Sequence, residues 1–451
     1  MDSSLIPTAG DNRRLVMGYE SIGRLQLNPR DPRTYSPTEQ RRVGKALKRF
    51  GAIPLIVTAE RIMLSGNFWL EAAKLAGFTE VPVIVADHLS PSEADAFMLA
   101  QVRLIERGEW DERLLGQLLL DLTVQDLDFD VSITGFDPGE IDLKIIALDE
   151  QAEEGDPADD VAPIGPAVSE RDDLWMLGEH RLLCGDSLRT ESYDVLLRGE
   201  LAAVVFADAP FNLSIAGHVS GLGALTHREF VMGSGEMSEA EFTDFLITAT
   251  TRMAEHSVDG SLHYLAMDWR HMHELIVAGR RSYDSLQNLC VWSKGRGGMG
   301  SMYRSEHELF FVFKKGKKPH RNNIQLGRYG RNRTNVWQFP GANAFGRSGD
   351  EGNLLAVHPT VKPVALIADV LLDASVRGDL VLDPFMGPGS TLIAADKVGR
   401  RARGIEIDPL YVDAAVRRFE RWTGESARLE ADGRTFRQVE AERSKGTRHD
   451  V

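Results

Sequence analysis

Leu380-Val381-Leu382-Asp383-Pro384-Phe385-Met386-Gly387-Pro388-Gly389-Ser390-Thr391 is the stretch on which the fold of this 451-residue chain turns. Its apolar start reads as a buried strand, two glycines allow a tight turn, and Thr391 to Val398 reads as a helix. A strand feeding a helix through a glycine turn is half of a βαβ unit. The pattern recurs around it. Leu182 to Cys184, Leu201 to Ala207 and Gly404 to Ile407 read as strands, and Ser238 to Glu255, Val364 to Ala374 and Pro409 to Trp422 as helices. Strands alternating with helices predict an α/β fold with a doubly wound, mostly parallel sheet.

The glycine turn has an acidic counterpart. A second strand ends at Glu406, and a carboxylate at that point of such a sheet accepts hydrogen bonds from ribose hydroxyls. No lysine follows the glycines, which excludes the phosphate loop of nucleotide triphosphatases. Phe385 and Met386 suit an adenosine and sulfonium ligand better than a pyrophosphate. The strand Leu201 to Ala207 leads into Asp208-Ala209-Pro210-Phe211-Asn212. At the carboxyl end of a parallel strand these residues place a carboxylate, backbone carbonyls and an aromatic face in the ligand crevice. A planar base with an exocyclic amine requires those groups: two acceptors for its N–H bonds and a ring to stack on.

Together these motifs resemble the S-adenosylmethionine-dependent amino-group DNA methyltransferases, which have a Rossmann-like sheet. Asp208-Ala209-Pro210-Phe211 is similar to the family's catalytic Asp-Pro-Pro-Tyr, and Asp383 to Gly389 to its cofactor loop. His358-Pro359-Thr360-Val361-Lys362-Pro363 resembles the segment leading to that loop. Catalytic motif, basic region and cofactor motif follow one another in the order of the family's β subgroup. The resemblance implies S-adenosylmethionine as cofactor and double-stranded DNA as partner. It places Asp208 and the Ala209 carbonyl on the target amine, with Pro210 in the same motif and Phe211 stacked on a flipped base. It places Asp383, Phe385, Gly387 and Gly389 along the cofactor, Glu406 on its ribose, Asp186 beside its adenine, and Thr360 and Lys362 at its methionine carboxylate. Aspartate at the first motif position favours adenine N6 over cytosine N4. Ala209 keeps the carbonyl that the family's proline supplies, and Phe211 keeps the tyrosine's aromatic face, so the resemblance implies an active enzyme. The competing reading is a non-catalytic DNA-binding adaptor on the same scaffold.

The whole chain is acidic, 52 Lys+Arg against 67 Asp+Glu with a net charge of −15, which excludes a uniformly basic nucleic-acid coat. Charge is unevenly spread. Lys294 to Arg333 sets eleven cations against Glu306 and Glu308, and Tyr303, Tyr329 and Trp337 are interleaved over Ser301 to Trp337. Arg304, Lys314, Lys315, Lys317, Lys318, Arg321, Arg328, Arg331 and Arg333 are expected to bind DNA within a target-recognition region at about 294–350. Asp149 to Asp173 is the opposite, ten acids against Arg171 with three prolines, and predicts a solvated linker over 148–173.

Before that linker, a tail over 1–15 leads into a small mixed α/β module over 16–147. Ser36-Pro37-Thr38-Glu39 and Ser90-Pro91-Ser92-Glu93 predict boxed helix starts, the first followed by Val43, Leu47 and Phe50 on one face. Ile53 to Val57 and Val81 to Val85 predict short strands. Leu27-Asn28-Pro29-Arg30, Phe50 to Leu55 and Ser65-Gly66-Asn67-Phe68-Trp69 resemble the N-terminal domain of ParB-like partition proteins. Trp69 stands where that family carries a phosphate-binding arginine, so the module is expected to guide DNA or dock a protein rather than bind a nucleotide. The methyltransferase domain is expected over 174–424 and a frayed tail over 425–451. Cys184 and Cys290 exclude a disulfide framework, and no apolar run approaches the ~18 residues of a membrane span, so a cytoplasmic location without a membrane partner is expected. His271 and His273 diverge on a helical segment, and no metal is expected. A homodimer completes the expected partners.

Overall fold

The computed structural model describes residues 16–108, 110–125, 129–146, 148, 167–212, 235–295, 303, 305–325, 331, 333–339 and 362–446. The chain divides into two compact units, Met1–Leu148 and Asp149–Val451.

In the first unit, β1 (Met17–Ser21), β2 (Leu55–Val57) and β3 (Glu80–Val85) form a sheet of order β1-β3-β2. Helices α1 (Pro37–Phe50), α2 (Asn67–Ala76) and α3 (Pro91–Glu106) accompany it. Ser36 and Ser90 each accept the N–H three residues on, and Glu39 and Glu93 reach back to them. Each serine cap stabilises its helix by about 1 kcal/mol. Leu47, Leu55, Val57, Leu70 and Val81 form the core. Phe50 departs from the predicted face: it is exposed at the helix end and meets Phe129 edge-on at 5.8 Å. Helices α4 (Glu112–Val124) and α5 (Pro138–Ile146) close a second small core through Leu115, Leu119, Ile141 and Ile145.

The second unit is built on ten strands: β4 (Leu174–Leu177), β5 (His180–Cys184), β6 (Ala202–Ala207), β7 (Ser257–Met267), β8 (Ser285–Ser293), β9 (His307–Lys314), β10 (Val336–Gln338), β11 (Leu380–Asp383), β12 (Arg401–Glu406) and β13 (Arg428–Leu429). Their order is β10-β8-β9-β7-β6-β11-β12-β5-β4-β13, and only β9 and β4 run against the others. The central strands are apolar because both faces are covered: Val204, Val205, Leu382 and Ile405 are fully buried. Covering helices are α6 (Thr190–Leu197), α7 (Glu239–Glu255), α8 (Met272–Ser282), α9 (Val364–Ala374), α10 (Ser390–Lys397) and α11 (Pro409–Thr423). The sheet is doubly wound, as the alternation predicts.

The winding locates the site. β6 and β11 are neighbours, but the chain leaves β6 through α7 to β7 on one side and leaves β11 through α10 to β12 on the other. A crevice opens at the carboxyl ends where the winding reverses, and ligands of such sheets bind there.

Two boundaries differ from expectation. The linker gives way before 173: Val168 and Ser169 are buried, and their N–H groups donate to Asp413 at 2.6 and 2.9 Å. The expected tail over 425–451 instead adds β13 to the sheet edge and a further helix, α12 (Phe436–Gly446). Buried Phe436 and Val439 dock that helix, with Phe436 packed on Trp175 at 5.1 Å. Two apolar side chains in a charged segment carry no visible period, yet they suffice beside a paired strand. Among the described residues no helix is long and apolar enough to cross a membrane.

Candidate active site

The glycine turn is held by its own acids. Asp383, buried at the end of β11, accepts the N–H of Phe385 at 3.0 Å and the hydroxyl of Thr391 at 2.5 Å. Strand end and helix start are thereby tied to one carboxylate. Gly387, at φ +53°, donates its N–H to Glu406 Oε2 at 2.8 Å, and Glu406 Oε1 accepts the N–H of Asp408 at 2.9 Å. Gly389, expected along the cofactor, also has a packing role. At φ +88° its added Cβ would lie 2.9 Å from Ala415 Cβ, so this glycine lets α10 and α11 approach. Burial pushes both Asp383 and Glu406 up to about 7. Asp186 lies just past β5, whose Cys184 pairs with Glu406, and it accepts the N–H of Leu188 at 2.9 Å. Gly185 donates to the Glu406 carbonyl at 2.8 Å. Asp186, Asp383, Gly387 and Glu406 thus share the carboxyl edge of the sheet, with half-buried Phe385 beside them.

Asp208 follows β6 on the other side of the crevice. Its Oδ2 accepts the Lys362 ammonium at 2.6 Å, whereas its buried Oδ1 has no partner among the described residues. The same ammonium lies 2.9 Å from Glu308 Oε2, and Lys294 binds the other oxygen of Glu308. Charges therefore alternate along Asp208, Lys362, Glu308 and Lys294. Burial raises Asp208 against the pull of Lys362. Burial would also raise Glu308, but Lys362 and Lys294 together hold it at about 2. Lys362 stays protonated because two carboxylates outweigh its desolvation. It also sits 5.5 Å from the centre of the Phe211 ring. Ala209 and Phe211 are half-buried against the core, and Pro210 lies between them.

Lys362, placed by resemblance at the cofactor's methionine carboxylate, is thus partnered with the catalytic motif. Thr360 lies outside the described residues. Sequence reasoning missed Glu308, Lys294 and Asn212. The signal for Glu308 was an acid inside a run of cations. Asn212, at φ +52°, donates to the Met237 carbonyl at 2.8 Å and accepts the N–H of Gly235 at 3.1 Å, fastening the end of the catalytic motif to the start of the next segment.

The basic region divides. Arg304 and Arg328 lie outside the described residues. Arg331 and Arg333, expected on the DNA surface, are instead paired within the protein: Arg331 is 7% exposed and bonds Asp373 at 2.5 Å and Asp369 at 2.9 Å, and Arg333 pairs with the same two acids of α9. Lys314, Lys315, Lys317 and Lys318 stand at the other end of the strands from Asp208. Because β9 runs against its neighbours, Lys314 at its end pairs with Leu262 in the middle of β7, level with Val204 of β6, and Lys315 binds the carbonyl of Ser257 at the start of β7. Six residues of extended strand separate Lys314 from Glu308, about 20 Å. Arg321 is exposed on that same far side, two residues before Asn323, which bonds the carbonyls at the end of α9. At the carboxyl edge, with Asp208, stand Lys294 and Arg270, the latter over exposed Trp269 at 4.7 Å.

In the first unit, Asn28 and Asn67 exchange hydrogen bonds of 2.7 and 2.8 Å and fix the turn into α2. Phe68 stacks on Tyr35 at 3.9 Å, and Trp69 packs against the core.

The fold is a doubly wound α/β sheet whose neighbouring strands β6 and β11 each lead into a carboxylate at the same edge, Asp208 and Asp383. A family model described as DNA methylase, of the N6/N4 type, matches residues 202–417, and one described as the ParB-methyltransferase HTH domain matches 113–171. Residues 202–417 thus resemble an N6/N4-type DNA methylase domain, and residues 113–171 a ParB-methyltransferase HTH domain. Type II methyltransferase M.ScaI of Streptomyces caespitosus is 40% identical over 91 residues, 20% of this chain and 29% of that protein. Type II methyltransferase M2.MboI of Moraxella bovis is 23% identical over 230 residues, 49% of this chain and 81% of that protein. The structure of the cytosine-N4-specific PvuII DNA methyltransferase matches at 15% identity and a TM-score of 0.40, over 61% of this chain and 94% of that one. The chain spans less than a third of the length of the first of these relatives.

Proposed function

We propose that the chain transfers a methyl group from S-adenosylmethionine to the exocyclic amine of a base at specific sites in double-stranded DNA, and that the amine is adenine N6. The observation that carries this reading is Asp208 Oδ1, a buried acceptor without a partner among the described residues, at the end of the strand that pairs with the one leading into the glycine turn. A buried orphan acceptor costs free energy unless a ligand donor satisfies it. The N–H of a base amine is such a donor.

The opposite wall fits the cofactor. Asp186, Asp383 and Glu406 are acids, suited to ribose hydroxyls and a sulfonium cation and repellent to a polyphosphate. Glu406 and Asp186 would hold the ribose and adenine side, with Phe385 against the ligand. When bound, S-adenosylmethionine supplies an electrophilic methyl group. An amine conjugated to its ring is a poor nucleophile, so the protein's task is orientation. Asp208 Oδ1 and the Ala209 carbonyl accept the two N–H bonds, turn the nitrogen lone pair out of the ring, and offset the positive charge that develops on it. Phe211 supplies the stacking face. Aspartate at the first motif position supports adenine. The proposal extends to homodimer assembly and to protein docking through the first unit.

Incubation with labelled cofactor and unmethylated genomic DNA, followed by identification of the modified base, tests the reading. Asp208→Asn should keep cofactor binding and lose at least about 100-fold in transfer. Undiminished transfer by that variant sinks the assignment, and label on cytosine would reassign the base.

A further inference from the structure

The acid that receives the amine is held by a charge chain whose other members come from remote parts of the sequence. Asp208 ends β6, Lys362 precedes α9, Glu308 lies in β9 and Lys294 follows β8. Lys362 and Glu308 are almost wholly buried, at 4% and 8% exposure. Burying an ammonium is costly unless its charge is matched, and one carboxylate already committed to chemistry is a poor sole partner. Glu308 provides the second, at 2.9 Å.

Building on the methyltransferase reading, we propose that Lys362 and Glu308 are positioning residues: Lys362 occupies Oδ2 of Asp208 so that Oδ1 alone is presented to the base amine, and Glu308 holds Lys362 there. The geometry supports three parts of this. With Oδ2 held by the ammonium at 2.6 Å, rotation of the carboxylate would break that ion pair, which favours leaving Oδ1 as the open acceptor. The same ammonium lies near the Phe211 ring, so one cation positions both the amine acceptor and the stacking face. Lys294, on the outer oxygen of Glu308, completes the chain and leaves it neutral.

The groups facing Asp208 are Lys362, Glu308 and Lys294 from the elements just named, together with Asp383 at the end of β11. Their signs give opposite expectations for two variants. Lys362→Met leaves Asp208 buried among acids, so the acid limb of kcat/KM for DNA should move to higher pH by about one unit or more. Glu308→Gln removes a negative neighbour and leaves Lys362 to Asp208 alone, so that limb should move to lower pH. Cofactor affinity, measured by calorimetry on the full chain, should change less than about threefold in both, because the acids of the glycine turn are untouched; it also reports that each variant is folded.

The assay uses the full chain, labelled S-adenosylmethionine and unmethylated genomic DNA across pH. Limbs that move apart support the proposal. Limbs that stay together in an active wild-type background overturn it while leaving the methyltransferase reading intact. A tenfold or greater loss of cofactor affinity in Lys362→Met with an unmoved limb also overturns it, returning the lysine to the cofactor. A wild-type chain that transfers no label overturns the reading and this inference together.

Discussion

Glu406 accepts the backbone N–H of Gly387 at 2.8 Å, so the acid at the end of one strand shapes the turn that follows its neighbour. Its second oxygen takes the N–H of Asp408, and the same strand end receives Gly185 through its carbonyl. One residue thus organises three loops of the carboxyl edge. The ligand wall is therefore a property of paired strands, and a change at Glu406 is expected to act on cofactor binding and on folding together.

That double role has a pH signature. Burial raises the folded-state value of Glu406 to about 7, above an unfolded value of about 4.3. A raised acid contributes stability that is fully present below its unfolded value and lost as pH rises through its folded value. Asp383, also raised to about 7, acts in the same direction. Urea unfolding of the free chain should lose on the order of 2 kcal/mol per group between about pH 5 and pH 8. Glu406→Gln should flatten that loss, and an equal loss in the variant would refute the assignment.

Gly389→Ala probes the helix approach. Its φ of +88° strains any other residue, and the new Cβ would lie 2.9 Å from Ala415 Cβ and 3.1 Å from its Cα, backbone that cannot swing aside. A loss of about 1–3 kcal/mol is expected in denaturant midpoint. Ala415→Gly should recover the steric part only, because the strain in φ remains.

What the sequence displayed was the part written in contiguous residues. Asp208 and Asp383 each end an apolar run and Glu406 ends a short strand after Gly404-Ile405, so strand-end geometry alone places them on one edge. Lys362 and Glu308 are joined to Asp208 across long stretches of chain, and their pairing depends on β9 reaching the crevice with its first residues. Strand direction is invisible to an apolar pattern. For that reason charge counting groups Lys314 to Lys318 with Lys294, whereas the strand direction sets them at opposite ends of β9. Counting charge likewise cannot separate a solvated arginine from Arg331, whose partners Asp369 and Asp373 sit one helical turn apart on α9.

Arg331→Met tests that burial. Removing one side of a buried pair leaves Asp373, itself 5% exposed, with less compensation. Unfolding should cost about 3–5 kcal/mol less than in the wild type. A shift under about 0.5 kcal/mol would mean that the pair is solvated, as a DNA-facing arginine would be.

The edge assignment makes a final prediction about DNA. A duplex that delivers a base to Asp208 lies across the carboxyl ends of the strands, where Arg270 follows β7 and Lys294 follows β8. Lys317 and Lys318 are exposed but stand beyond the start of β7, near Asp259. Each phosphate contact contributes about 0.9 to the slope of log affinity against log salt. Lys317→Glu with Lys318→Glu should therefore leave the slope unchanged within about 0.5, whereas Arg270→Glu should lower it by roughly 1. Fluorescence anisotropy of a labelled mixed-sequence duplex, read from 50 to 300 mM salt on the full chain, measures both. A flattened slope in the lysine pair with none in Arg270→Glu would move the duplex to the other edge and part it from the crevice.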